Sequence, residues 1–144
     1  MTEKVNHPLH YGGDTPYEHV KVMENWGMTN NAFLYNATKY ICRAGKKGNP
    51  DKVAEDTQKA MWYIRREIAL SEIVRETGAC WYYRGPVGEL IPSVTNVSKA
   101  WELDYNLQFA LTGIVSYWQR SVNHPSGVLS DVLIRLAMVL GTTI

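Results

Sequence analysis

Apolar residues recur at helical spacing through most of this chain. Phe33, Ala37, Tyr40, Ile41 and Ala44 fall on one helical face, and Val53, Thr57, Ala60, Ile64 and Ile68 do so in the next stretch. Between them Gly45 and Gly48 permit a turn, and Asn49 before Pro50 supplies a cap and a first helical position. A helical hairpin over 31–68 is the result. Upstream, Thr15, Pro16 and Glu18 have the spacing of a capping box, which predicts a helix from Pro16 to Trp26 ended by Gly27. The helix opened by Pro50 is predicted to reach about Thr77. Its periodicity weakens after Leu70, which predicts a bend or break between Ala69 and Glu72.

From Gly78 to Asn96 the pattern lapses, with Gly85, Pro86, Gly88 and Pro92 interrupting it. Trp81, Tyr82, Tyr83 and Arg84 are expected either to pack this connection onto the body or to offer stacking groups. A second hairpin follows, from Ser98 to Ser121 and from Ser126 to Leu140, turning at Asn123-His124-Pro125-Ser126-Gly127. Leu129, Val132, Leu133, Leu136, Ala137 and Leu140 give its last helix a wide apolar face, suited to a core or to a homo-oligomer contact through the C-terminal helices. The expected fold is all-α, a compact bundle of about five helices. Its parts are a motif-bearing unit over 1–77, a linker over 78–97 and a C-terminal hairpin over 98–144. Leu34, Tyr40, Arg43, Ala60 and Met61 align with Leu111, Tyr117, Arg120, Ala137 and Met138, as two degenerate copies of one hairpin would.

Composition narrows the partners. A formal charge of +1 over 144 residues lacks the broad basic footprint of an extended nucleic-acid interface, yet it allows a small basic pocket. Cys42 and Cys80 are isolated and match neither a disulfide framework nor a zinc pattern. No apolar run approaches membrane-spanning length and no secretory leader opens the sequence, so no membrane partner and a cytoplasmic setting are expected.

The chemistry concentrates on the first hairpin. Asn36, Lys39 and Arg43 lie within about 60° of one another on the first helix, and Asp56, Lys59 and Tyr63 line up likewise on the second. Folding back through the turn brings both rows toward one cleft. Lys39, Arg43, Lys46 and Lys47 have the charge to hold phosphate, though Lys46 and Lys47 also suit a merely soluble turn. Glu55 and Asp56 are candidates for Mg²⁺, which takes one or two carboxylates together with substrate phosphates. Trp62 is placed to stack on a base or to lie half-buried against a neighbouring helix. His7, His10 and Tyr11 are candidates for contact with a polar substrate, for local packing or for metal. Gly45-Lys46-Lys47-Gly48 lacks the spacing and terminal residues of a Walker A loop.

His7-Pro8-x-His10-Tyr11, Asn36-x-x-Lys39-Tyr40-x-x-Arg43-x-Gly45-Lys46-Lys47 and Glu55-Asp56-x-x-Lys59-Ala60-x-Trp62-Tyr63 resemble, in that order, the shared domain of small phage proteins that includes the T7-type nucleotide kinase. The resemblance covers roughly residues 5 to 68. It implies a helical phage-encoded protein of the host cytoplasm that transfers a phosphoryl group from a nucleoside triphosphate to a (deoxy)nucleoside monophosphate. In that reading Lys39, Arg43, Lys46 and Lys47 neutralise phosphates, Glu55 or Asp56 positions magnesium or the acceptor, and His7, His10 and Tyr11 close over the nucleotide, with Asn36, Lys59, Trp62 and Tyr63 also in contact. Three other readings stand beside it: non-catalytic binding of nucleotides or nucleotide signals, nucleotide pyrophosphohydrolysis, and a helical adaptor whose polar rows are solvated surface.

Overall fold

The computed structural model describes residues 7–46, 49–77, 90–119 and 125–141. Among these, six α-helices follow a short 3-10 turn at Leu9–Tyr11: α1 His19–Trp26, α2 Ala32–Lys46, α3 Pro50–Thr77, α4 Val94–Ala100, α5 Tyr105–Trp118 and α6 Pro125–Val139. The fold is all-α, as the periodicity predicts. α2 and α3 pack as one hairpin and α5 and α6 as another, with α3 laid on α6 and α2 touching α5. Gly113 permits the close approach within the second hairpin, because a Cβ there would stand 2.6 Å from Val132 Cγ2.

Three tryptophans are fully buried in the core, and each indole N–H is satisfied by a distant carbonyl. Trp26 donates to Pro92 O at 2.8 Å, Trp101 to Tyr17 O at 2.7 Å and Trp118 to Trp26 O at 3.2 Å. These bonds tie the N-terminal turn and α1 to the C-terminal half. A buried polar knot adds to them: the Glu67 carboxylate accepts from Asn31 Nδ2 at 3.2 Å and from the Tyr117 hydroxyl. Asn31 also caps α2, its side-chain oxygen accepting from Leu34 N at 2.9 Å.

Several boundaries differ from the sequence reading. α1 begins at His19, not Pro16, because Thr15 closes the preceding turn instead of capping a helix: its hydroxyl donates to Gly12 O at 3.0 Å and accepts from Tyr17 N at 3.1 Å. Glu18, the expected third residue of the capping box, turns to His7 and Lys21. α3 runs unbroken through Ala69 to Glu72, where no helix-breaking residue occurs.

The helix predicted over Ser98 to Ser121 is two. α4 ends at Ala100, Glu102 takes φ 57, and Asp104 starts α5 by accepting from Leu107 N at 2.9 Å. α4 also begins inside the predicted linker, capped by Ser93, whose hydroxyl accepts from Asn96 N at 3.1 Å. Residues 78–89 of that linker, with Trp81, Tyr82, Tyr83 and Arg84, lie outside the described residues, as does the turn at Asn123-His124. Of the positions aligned between hairpins, Leu34, Leu111, Ala60 and Ala137 are all buried, whereas Met138 is exposed where Met61 is buried.

Candidate functional site

The antiparallel packing of α2 on α3 sets residues from the two helices side by side in a regular register. Arg43 Nε stands 3.4 Å from Asp56 Oδ2 at the turn end. Farther along, Tyr40 and Tyr63 stack with centroids 6.0 Å apart and planes 12° apart. The Lys39 ammonium lies 4.8 Å from the centroid of the Tyr40 ring and the Lys59 ammonium 5.3 Å from it. Trp62 meets Tyr63 edge-on at 5.0 Å, and the Arg66 guanidinium reaches both Trp62 at 5.7 Å and Phe33 at 5.9 Å. Cations and aromatic rings thus alternate along one flank for about 15 Å, the rise of α2 between Phe33 and Arg43. Trp62 is 53% exposed and forms the open part of this stripe.

The charges within it differ in availability. Arg43 is held charged first by the Tyr11 hydroxyl, which accepts from Nη1 at 3.4 Å, and then by Asp56, against the opposing effect of burial. Asp56 is only 1% exposed, and its contact with Arg43 Nε is an ion pair without hydrogen-bond angles. Glu55, one residue away, is exposed and lies between Lys59 at 3.1 Å and Lys52 at 3.2 Å. Those two lysines lower its carboxyl below the ordinary range, Lys59 most, and Glu55 in turn raises the Lys59 ammonium.

Glu55 and Asp56 therefore have separate surroundings, one solvated between lysines and one buried against a guanidinium. Among the described residues no three His, Cys, Asp or Glu side chains gather where they could hold a metal ion.

The other candidate residues are placed as follows. Lys46 donates to Ala100 O at 3.1 Å, so its charge sits at the C-terminal end of α4, where the helix dipole favours a cation. Asn36 donates to Ala32 O at 2.7 Å on its own helix. His7 pairs with the buried Glu18 at 2.8 Å and lies 3.9 Å from Asp14, so it belongs to a cluster with Lys21. Tyr11 bridges from the N-terminal turn to Arg43. His10 contributes its backbone to the 3-10 turn; its side chain, like all of Lys47, lies outside the described residues.

Sequence spacing does not single out His19, yet it is the centre of an aromatic box. Its ring meets Tyr35 edge-on at 4.8 Å and lies 5.8 Å from Trp101, while Nε2 is 3.0 Å from Thr38 Oγ1. Burial, reinforced by the Lys39 charge, lowers its imidazole to about 3, so it stays neutral at ordinary pH. The available sequence signal is its position at the start of the buried set His19, Val22, Met23 and Trp26. The buried Glu67 carries no such signal, because its partners Asn31 and Tyr117 come from distant segments.

No helix among the described residues is long and apolar enough to cross a membrane. No curated protein and no solved structure matches the chain. Residues 5–65, which span the N-terminal turn, α1, α2 and the first half of α3 and so include the stripe up to Tyr63, match the family described as protein of unknown function, DUF3310.

Proposed function

We propose that the α2/α3 flank binds a nucleoside phosphate. The observation that carries this reading is the placement of Lys39 and Lys59, from different helices, beside the one Tyr40 ring. Two ammonium groups held at a common ring can share one phosphate, and the neighbouring exposed Trp62 offers a face for a base. Arg43 contributes positive potential but is already held by Asp56 and Tyr11. The motif resemblance to phage proteins that include the T7-type nucleotide kinase supports a nucleotide as the ligand.

Phosphoryl transfer from a nucleoside triphosphate to a nucleoside monophosphate is the second reading. It is favoured by Glu55, an exposed carboxylate that holds the Lys59 ammonium at 3.1 Å and so positions that cation for the phosphate of an acceptor monophosphate. Calorimetric titration with each deoxynucleoside monophosphate and with ATP tests the binding; labelled-donor assays with and without magnesium test the transfer. Nucleotide binding lost in Lys39→Ala supports the site, and donor-dependent diphosphate formation supports the kinase. Binding without chemical change identifies a nucleotide-binding protein, release of pyrophosphate a pyrophosphohydrolase, and no binding of any nucleotide overturns both readings.

A further inference from the structure

The outward face of the second hairpin has a different character from the α2/α3 flank. Tyr105 is 68% exposed, Phe109 42%, Ile134 50% and Met138 51%, a group of large apolar side chains on α5 and α6. Patches of this kind on a monomer mark interaction sites. Phe109, Asp131, Ile134, Arg135 and Met138 line an open cavity of about 370 Å³ between the two helices. The Arg135 guanidinium lies over the Phe109 ring at 4.0 Å and near Tyr105 at 5.5 Å, which fixes it at the rim of the apolar patch. Asp131 precedes it by one helical turn on the same side of α6. Neither of the two charges makes an ion pair among the described residues, with each other or with a third group.

We propose that this face binds a second copy of the same chain, α6 crossing α6 antiparallel about a two-fold axis beside Ile134. A two-fold interface must be complementary to itself. An antiparallel crossing centred between Asp131 and Arg135 sets the aspartate of each copy opposite the arginine of the other, giving two equivalent ion pairs, while Ile134 and Met138 fill the cavities lined by Phe109. The opposite charges on one exposed face, left without ion-pair partners among the described residues, select a second copy over an unrelated acidic or basic protein, which would satisfy only one of them.

Analytical ultracentrifugation across a concentration series tests this, with circular dichroism confirming the fold of each variant. The wild type is expected to dimerise. Asp131→Arg and Arg135→Asp, made separately, each place like charges across the axis and weaken the dimer by about tenfold or more; the double variant carrying both restores it, because every acidic side chain then faces a basic one again. Ile134→Asp, an exposed position whose change spares the core, abolishes the dimer. A wild type that stays monomeric into the submillimolar range overturns the proposal, as does a dimer indifferent to Ile134→Asp or single reversals that the double variant fails to rescue.

Discussion

The hydroxyl of Tyr117 on α5 donates to the carboxylate of Glu67 on α3, and neither side chain reaches solvent. This bond, with Asn31 as a further donor, joins the two hairpins through a carboxylate buried in the core. Tyr117→Phe keeps the ring and removes the donor, so it is expected to destabilise the protein by about 1–3 kcal/mol. Urea unfolding checks this: the midpoint falls while the slope stays the same.

His19 makes stability depend on pH. Its folded-state imidazole is lowered to about 3 from an ordinary 6.5 by burial and then by Lys39. A proton therefore binds the unfolded chain more tightly than the folded one. The stabilisation is complete above about pH 6.5 and is lost as pH falls from there toward 3. Between about pH 7.5 and about pH 5 this one group is expected to cost about 2 kcal/mol. His19→Gln removes that slope, read from urea midpoints at the two pH values.

Breaking one side of the Arg43 and Asp56 pair leaves a charge without its counter-ion beside the core. Asp56→Ala is expected to cost about 1–3 kcal/mol, less than for a fully buried pair because Arg43 is 26% exposed. The double variant Arg43→Met with Asp56→Leu is expected to be more stable than Asp56→Ala alone, since no unpaired charge remains. Thermal melts of the single and double variants decide it; a double variant less stable than Asp56→Ala contradicts this account.

Gly45 has no room for a side chain. A Cβ there would stand 2.5 Å from Trp101 O and 2.7 Å from Leu103 Cδ2, so α2 and the turn after α4 must separate in Gly45→Ala. The expected loss is about 1–3 kcal/mol, typical of overpacking, measured as a lower melting temperature. The same separation would strain the Lys46 bond to Ala100 O.

On the proposed nucleotide site, Lys39→Ala and Lys59→Ala are each expected to weaken binding by roughly threefold to tenfold, as suits half-exposed charges. Added salt should reduce wild-type affinity and narrow the gap to the variants. Titration at low and high ionic strength reads both effects. Trp62→Ala, by contrast, should weaken binding about equally at both salts, because stacking is not screened.

Local periodicity is enough to reveal the α2/α3 hairpin, because each helix carries its own apolar stripe and Asn49 caps the second; Gly45, expected in the turn, lies instead inside α2, where the close approach of Trp101 O requires it, and Gly48 lies outside the described residues. The rows Asn36, Lys39, Arg43 and Asp56, Lys59, Tyr63 can be placed on helix faces from spacing alone, and Lys39 and Lys59 do meet at Tyr40. What spacing cannot show is how a polar side chain is used by a segment far away. It offers Lys46 as a phosphate ligand beside Lys39, but the C-terminal end of α4 lies against that ammonium and accepts its hydrogen bond. It offers Glu18 as half of a capping box, but His7 and Lys21 draw the carboxylate elsewhere. The division at Trp101 escapes it for a similar reason: that indole seeks Tyr17 O, a partner 84 positions away.

The stretch that matches a described family ends at residue 65, yet its buried carbonyls at Tyr17 and Trp26 are met by indoles from Trp101 and Trp118. That portion is not a portable cassette. Grafted into another polypeptide, it would need replacement donors at the same two places.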